Sequence, residues 1–512
     1  MQSIVYPNSL EDIAVVNYRG GARVGFTIQP KTAGFFRLLI WPDGIPDPDL
    51  VESQSLIFRN DTGPPARHEF DLSNHSARTV VKWCWSLIKA SPQSTALSDL
   101  ANILAGGDEV AGGHFTLHAI PIRRQTRTAL WSCHMPYETD ANQAVLQENA
   151  KDILTWYAEQ VAEYNPHIIW GAGDNGYSDG TESTDFSNQV YEKGNWFHNP
   201  VNREWLKNEY RRMYRHFWSF DPMRKVMNDY PHLFIWDDHE IHDGWGSEGI
   251  DFKPGNLEMF KISKEVAQEY ILNAGPRMRP TGEEAHQAYI HGSVACFIFD
   301  TRSTRNYEAS QERLISREQF RDFQLFLDEI QSNGNITDVI TCTTVPFVNM
   351  RTWVMELGSR APDFINDNLI QGVRDDIRDS WTSPGNIDTL ERVLGVIGRF
   401  MNRRLDVNFW NVSGDIHVAN AYEIFIPGVY KPLRQVTTSA ITNRHHPPEV
   451  VEVLTELGSG AYIKGVGQVN RIWPTITDPN VLFMTTGPEG TEARLKVWSD
   501  EYTNENDLLI QI

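Results

Sequence analysis

The sequence predicts a mixed α/β chain in two parts, an N-terminal antiparallel β-sandwich over residues 1–124 and a layered α/β domain over 125–512. Three observations carry this. A chain of 512 residues exceeds what one ordinary core serves. Up to about Pro121, short alternating runs are separated by clusters of Pro, Gly, Asn and Asp. Beyond it, apolar runs of strand length alternate with stretches of helical spacing.

In the first part, Arg23-Val-Gly-Phe-Thr-Ile and Phe36-Arg-Leu-Leu-Ile-Trp alternate as half-buried strands do. Thr79-Val-Val-Lys-Trp-Cys-Trp and Gly113-His-Phe-Thr-Leu-His-Ala-Ile continue the pattern, and Arg123-Arg-Gln-Thr-Arg127 reads as a polar linker. Then Leu146, Ala150, Ile153, Leu154, Tyr157 and Val161 recur at helical spacing before the apolar strand His167-Ile-Ile-Trp170. A helix over about Arg203–Asn228 precedes the apolar run His232–Trp236, and one over about Leu257–Asn273 precedes a strand over Ala288–Phe299. Helical Arg317–Gln331 and Ile387–Phe400 precede strands at Asp338–Thr344 and Val407–Ser413. Asn480–Thr486 and Ala493–Trp498, joined by Gly487-Pro-Glu-Gly, predict a hairpin.

A formal net charge of −21 argues against nucleic acid or an anionic membrane as a bulk partner, since both are held mainly by surplus Lys and Arg. No apolar run reaches the roughly eighteen residues of a membrane span. Met1-Gln-Ser-Ile-Val-Tyr-Pro shows no basic stretch followed by an apolar one. The expectation is a cytoplasmic or otherwise intracellular chain, or a secreted one trimmed of its leader. Cys84, Cys296 and Cys342 sit in apolar runs and are expected as core thiols, whereas Cys133 closes Ala129-Leu-Trp-Ser-Cys-His134 where a strand ends. Nothing in the sequence sets an oligomeric state.

Ligand sites of a layered α/β domain lie at the carboxyl ends of its strands. There the residue types are those of metal ligands: Cys133 and His134, then Asp174, Asn175, Tyr177 and Asp179, then Asp237, Asp238 and His239, then Asp300 with Arg302 and Arg305, and last Asp415 and His417; Glu240 and His242 follow in the same loop as His239, and His242 is not expected to ligate. Carboxylates this close repel one another unless cations neutralise them. If the strands lie side by side, the loops meet on one rim and form a binuclear hydrolytic site. Gly171-Ala-Gly-Asp-Asn-Gly176 has the glycine spacing of a dinucleotide loop, but polar, turn-rich Tyr177–Ser187 follows where that loop needs a helix.

Gly173-Asp174-Asn175, Asp238-His239-Glu240 and Gly414-Asp415-Ile-His417, in that order, resemble the calcineurin-like metallophosphoesterase superfamily. Ser132-Cys133, Tyr177, Asp237-Asp-His-Glu240, Asp375-Asp-Ile-Arg-Asp-Ser-Trp-Thr382 and Gln435-Val-Thr-Thr-Ser-Ala-Ile-Thr-Asn443 resemble its PhoD-like alkaline phosphatase and phosphodiesterase branch. The resemblance implies a four-layer core, two packed sheets flanked by helices, behind an N-terminal β-sandwich. It implies metal ligation by Cys133, Asp174, Tyr177, Asp238, Asp415 and His417, with Asp174 bridging two cations and His239 facing the substrate phosphate. It further implies a small phosphate ester as substrate. The strand at Val339–Thr344 runs into Val345-Pro346 with no histidine, where the wider superfamily often has a metal-binding one.

Thiolate, phenolate and imidazole favour iron or zinc, and the carboxylates suit calcium, manganese or magnesium. The expectation is two or more ions, iron with calcium or manganese, zinc fitting too. His239 is expected to donate a proton or stabilise charge, with Glu240 or Asp237 orienting its ring. Arg302, Arg305 and Asn175 are expected to contact the substrate, Arg302 also serving catalysis. The alternative is a non-catalytic binding module held by structural calcium, which Cys133 and His417 fit poorly as donors.

Overall fold

The computed structural model describes residues 3–511 except 45–50, 52–53, 62, 74–79, 108, 119–124, 141–142, 180–184, 307–313, 350–377, 415–416, 443–460 and 499–506. Among the described residues the first large sheet has nine strands, in the order Leu508–Gln511, Glu492–Val497, Asn480–Thr486, Thr126–Trp131, Ile168–Ala172, His232–Ile235, Ile13–Tyr18, Arg23–Gln29 and Ala66–Asp71. The second has eight, in the order Gln287–His291, Val294–Ile298, Asp338–Thr343, Asn408–Ser413, Leu433–Thr437, Ala419–Phe425, Gly467–Ile476 and Ala461–Ile463.

Successive residues of a strand point to opposite faces, and here both faces are covered. Leu130, Ile168, Trp170 and Leu233 of the first sheet share one apolar layer with Cys296, Ile340, Trp410 and Val412 of the second. Their neighbours Ala129, Trp131, Ile169 and Phe234 face the other way, onto helices Ala150–Tyr164, Pro200–Trp218 and Pro254–Ala267. Phe297, Val339 and Phe409 of the second sheet likewise cover helices Arg317–Gln331 and Ile387–Arg403. The order is helix, sheet, sheet, helix. The Trp170 indole N–H donates across the middle layer to the Tyr289 hydroxyl at 2.8 Å.

Two elements differ from the sequence reading. The run Ala288–Phe299 is a hairpin, Gln287–His291 pairing antiparallel with Val294–Ile298 around Gly292, whose φ of 60° glycine adopts without strain. The expected helix over Arg203–Asn228 is two, Pro200–Trp218 and Asp221–Asp229. Pro222 has no N–H, and its ring would strike the Trp218 carbonyl if the first helix ran on.

Gly34–Pro42, Ser55–Asn60, Val80–Lys89 and Glu109–His118 form a four-stranded sheet of their own. It packs on the N-terminal strands of the nine-stranded sheet, where Phe26 meets Trp85 at 5.3 Å and Phe115 at 6.1 Å between ring centroids. The other sheet of this sandwich is shared. Ile13–Tyr18 lies parallel beside His232–Ile235, with Asn17 opposite His232. A division at residue 124 therefore cuts through the nine-stranded sheet.

Candidate metal centre

Thr126–Trp131, Ile168–Ala172 and His232–Ile235 run parallel side by side in one sheet, and Val294–Ile298, Asp338–Thr343, Asn408–Ser413 and Leu433–Thr437 do so in the other. Glycines let their carboxyl-terminal loops meet. A Cβ on Gly414 would lie 2.5 Å from Ser132 Cβ and 2.6 Å from the Ala172 carbonyl oxygen. One on Gly173, whose φ is 101°, would lie 3.1 Å from both Asp237 Cβ and Thr344 Cγ2. A Cβ on Gly171 would meet Asn175 Oδ1 at 2.2 Å, so the glycines that mimic a dinucleotide loop serve close approach instead. Backbone bonds close the rim: His134 N–H donates to Asp174 O at 3.0 Å, Gly414 N–H to Thr344 O at 3.0 Å, and Ile441 N–H to Ser132 O at 3.0 Å.

The loops bring donor atoms into two overlapping sets, Cys133 with Asp174 and His417, and Asp174 with Asp238 and His239; the atoms within each set lie no more than 4.8 Å apart. Asp174 belongs to both. Cys133, Asp174 and His417 have φ of 55°, 53° and 51°, a left-handed backbone that costs a non-glycine residue about 1–3 kcal/mol. The Tyr177 hydroxyl donates to Asp174 Oδ2 at 3.0 Å and lies 3.3 Å from His417 Nε2, and Ser439 Oγ donates to Cys133 Sγ at 3.1 Å.

The electrostatics suit cations. Burial pushes the Asp174 carboxyl well above the usual carboxylate range, and Asp238, Asp237 and Glu240 push it further while His239 opposes them. Among the described residues Asp174 Oδ1 is buried with no hydrogen-bond partner. A buried carboxylate common to two donor sets, with one oxygen lacking a proton donor, is what bound cations satisfy. Burial would raise Asp238 too, yet Arg302 and His239 hold it down to about 2, so it stands ionised as a ligand must.

Several predicted residues have other work. The Asn175 side chain is fully buried, its amide donating to Ile235 O at 2.8 Å and to Glu240 Oε1 at 2.8 Å. Arg302 is fully buried as well, its guanidinium spent on Asp237, Asp238, Asp379 and the Trp245 carbonyl. Asp237 is paired with Arg302 and does not reach His239; burial, only partly offset by Arg302, pushes its carboxyl up to about 6. Asp300 accepts from the N–H groups of Ala285, Arg302 and Ser303, a turn-capping role. Arg305 Nη2 is bound to Asp379 Oδ1 at 2.6 Å. His242, not expected as a ligand, stacks on Tyr191 with ring centroids 3.9 Å apart and belongs to neither donor set. Asp415 lies outside the described residues.

The His239 ring is oriented by Asp179, whose Oδ1 lies 2.7 Å from Nδ1, and not by Glu240 or Asp237. Glu240 instead accepts from the backbone N–H groups of Asp174 at 3.2 Å, Asn175 at 2.6 Å and Asp237 at 2.8 Å. It ties the loop that carries Asp174 to the one that carries Asp238. Burial pushes the Glu240 carboxyl up to about 8 against the pull of those N–H groups. Asp379 and Ser439 escaped the sequence reading as site residues. Their only signal was membership of the runs Asp375–Thr382 and Gln435–Asn443.

A family model described as PhoD-like phosphatase matches residues 146–449. Among solved structures, that of PhoD is similar at a TM-score of 0.56 and 13% identity, over 99% of this chain and 90% of that one. Purple acid phosphatase PPD1 from yellow lupin (Lupinus luteus) seeds is similar at a TM-score of 0.53 and 10% identity, over 99% of this chain and 75% of that one. At such identities the likeness is one of fold. No curated protein matches the chain.

Proposed function

The chain belongs to the PhoD-like phosphatase family and is a phosphoric ester hydrolase, and we propose that it works through two cations that share Asp174, one held with Cys133 and His417 and the other with Asp238, while His239 beside them faces the ester. The observation carrying this is that one buried carboxylate, with an oxygen otherwise unpartnered, belongs to both sets. Cys133, Tyr177 and His417 would complete one cation's shell and Asp238 the other's, with Asp415 expected to bind one of the two. The thiolate, phenolate and imidazole suit iron, with zinc also fitting, and the carboxylates of the second shell suit calcium or manganese. When bound, the cations supply Lewis acidity to the attacking water and to the phosphoryl oxygens.

The chain's own groups do the rest. With Nδ1 held by Asp179, His239 keeps Nε2 for the ester. Without cations, burial would lower its pKa but the carboxylates of Asp179, Asp174 and Asp238 raise it well above the ordinary value; the Asp179 carboxylate, which is no metal donor, favours the protonated ring that can give a proton to the leaving oxygen. Glu240 holds the backbone beneath Asp174 and Asp237 so that the donors do not spread apart. Family membership sets aside the calcium-held binding module.

The test loads the purified protein with iron, calcium, manganese or zinc and compares turnover of a chromogenic phosphate monoester with that of its bis-ester. Asp174→Ala should lose bound metal and turnover together. A fully active Asp174→Ala protein overturns the two-cation reading.

A further inference from the structure

Arg302 lies 77 residues in sequence from Asp379, yet its Nη2 donates to Asp379 Oδ2 at 2.6 Å and to Asp238 Oδ1 at 3.2 Å. Its Nε donates to Asp237 and its Nη1 to the Trp245 carbonyl at 2.9 Å. This guanidinium is fully buried and has carboxylates on two sides. Asp238 in turn has one oxygen on Arg302 and the other on the Gly244 N–H at 2.7 Å, and these two bonds set the plane of its carboxylate. On its far side Asp379 accepts from Arg305 Nη2 at 2.6 Å and from the Ser247 hydroxyl. The Asp379 turn is fixed by Asn386, whose amide donates to Arg378 O at 2.8 Å and Ser380 O at 2.9 Å. Acids and bases thus alternate, Arg305, Asp379, Arg302, Asp238, toward a metal donor.

We propose that Asp379 is a positioning residue of the metal centre, holding Arg302 so that Arg302 fixes Asp238 for its cation. The inference rests on the two-cation reading above. Arg302 then acts as a built-in positive charge and not as a clamp on substrate. Without Asp379 the guanidinium keeps its charge but loses the anchor opposite Asp238. Groups orienting a metal ligand from behind typically carry about 10–100-fold of metal affinity or activity.

The test titrates metal-stripped wild type, Asp379→Asn, Arg302→Lys and the double variant with Mn²⁺ alone, with far-UV circular dichroism as the folding control. Asp379→Asn should weaken one Mn²⁺ site by about 10–100-fold and leave the other unchanged. The double variant should be no weaker than Arg302→Lys, because residues acting in series do not add. In turnover, kcat should fall with KM nearly constant. Wild-type Mn²⁺ binding in Asp379→Asn, or a rise in KM alone, overturns the proposal. If Asp379→Asn does not fold, Arg302→Lys decides, since an ammonium cannot span both carboxylates and wild-type binding there is equally fatal. Mn²⁺ binding is read without turnover, so a wild type that binds two ions but hydrolyses no phosphate ester counts against the functional reading and not against this one.

Discussion

His239 and Asp179 lie 60 residues apart in sequence and 2.7 Å apart in space. The Asp179 carboxylate also accepts from the Asp243 N–H, so it is held as firmly as the ring it orients. Asp179→Asn should lower kcat by about 10–100-fold while metal content stays at the wild-type level, as metal analysis beside steady-state kinetics would show. A variant with unchanged kcat would remove Asp179 from the mechanism. The sequence placed Asp179 among the donor-rich junctions but assigned the ring's partner to its neighbours in the chain. Adjacency misleads there because the turn after His232–Ile235 sends Glu240 inward to three backbone N–H groups.

The elements that matter most are strand ends, and their convergence depends on what is missing at Gly414. Gly414→Ala puts a methyl group against Ser132 and the Ala172 carbonyl, in a seam joining the two sheets. The expected result is a loss of about 1–3 kcal/mol in denaturant-induced unfolding together with weaker metal binding. Wild-type stability with wild-type metal affinity would show that the seam can yield. Strand-then-acid junctions were legible because strand length and residue type are local properties. The left-handed backbone of Cys133, Asp174 and His417 was not, since no side chain of these types announces it. The hairpin at Gly292 was legible too, since Gly292-Ser293 between two runs of strand length is a two-residue hairpin signal that a single strand over Ala288–Phe299 ignores.

Across the molecule the layers enclose neutral histidines. Burial pulls His134 and His232 to about 4, against weaker opposing bonds to the Phe217 and Tyr230 carbonyls, and pulls the less buried His68 to about 4 and His216 to about 3. These values lie below the roughly 6.5 of an unfolded chain. Between about 6.5 and 4 the unfolded state therefore takes up protons that the native state refuses. The stability is fully present above that window and is lost as pH falls through it. Because the raised carboxylates of the metal centre titrate alike in both proteins, the thermal midpoint of metal-free wild type should fall relative to that of His232→Phe between about pH 6.5 and pH 4. Parallel profiles would mean that the His232 ring is solvated in the folded chain.

The alternation of strand and helix, the acid- and thiol-bearing strand ends and the family likeness were all present in the order of residues, because periodicity and donor chemistry act over a few positions. Which sheet each strand joined was not, since strands covered on both faces carry no alternation to tell one covering layer from another. Nor was the fate of Arg302, which depends on carboxylates 64, 65 and 77 residues away. The N-terminal strands share the nine-stranded sheet for the same reason: backbone hydrogen bonds between Ile13–Tyr18 and His232–Ile235 are available to any extended segment, and only packing in three dimensions chose the partner.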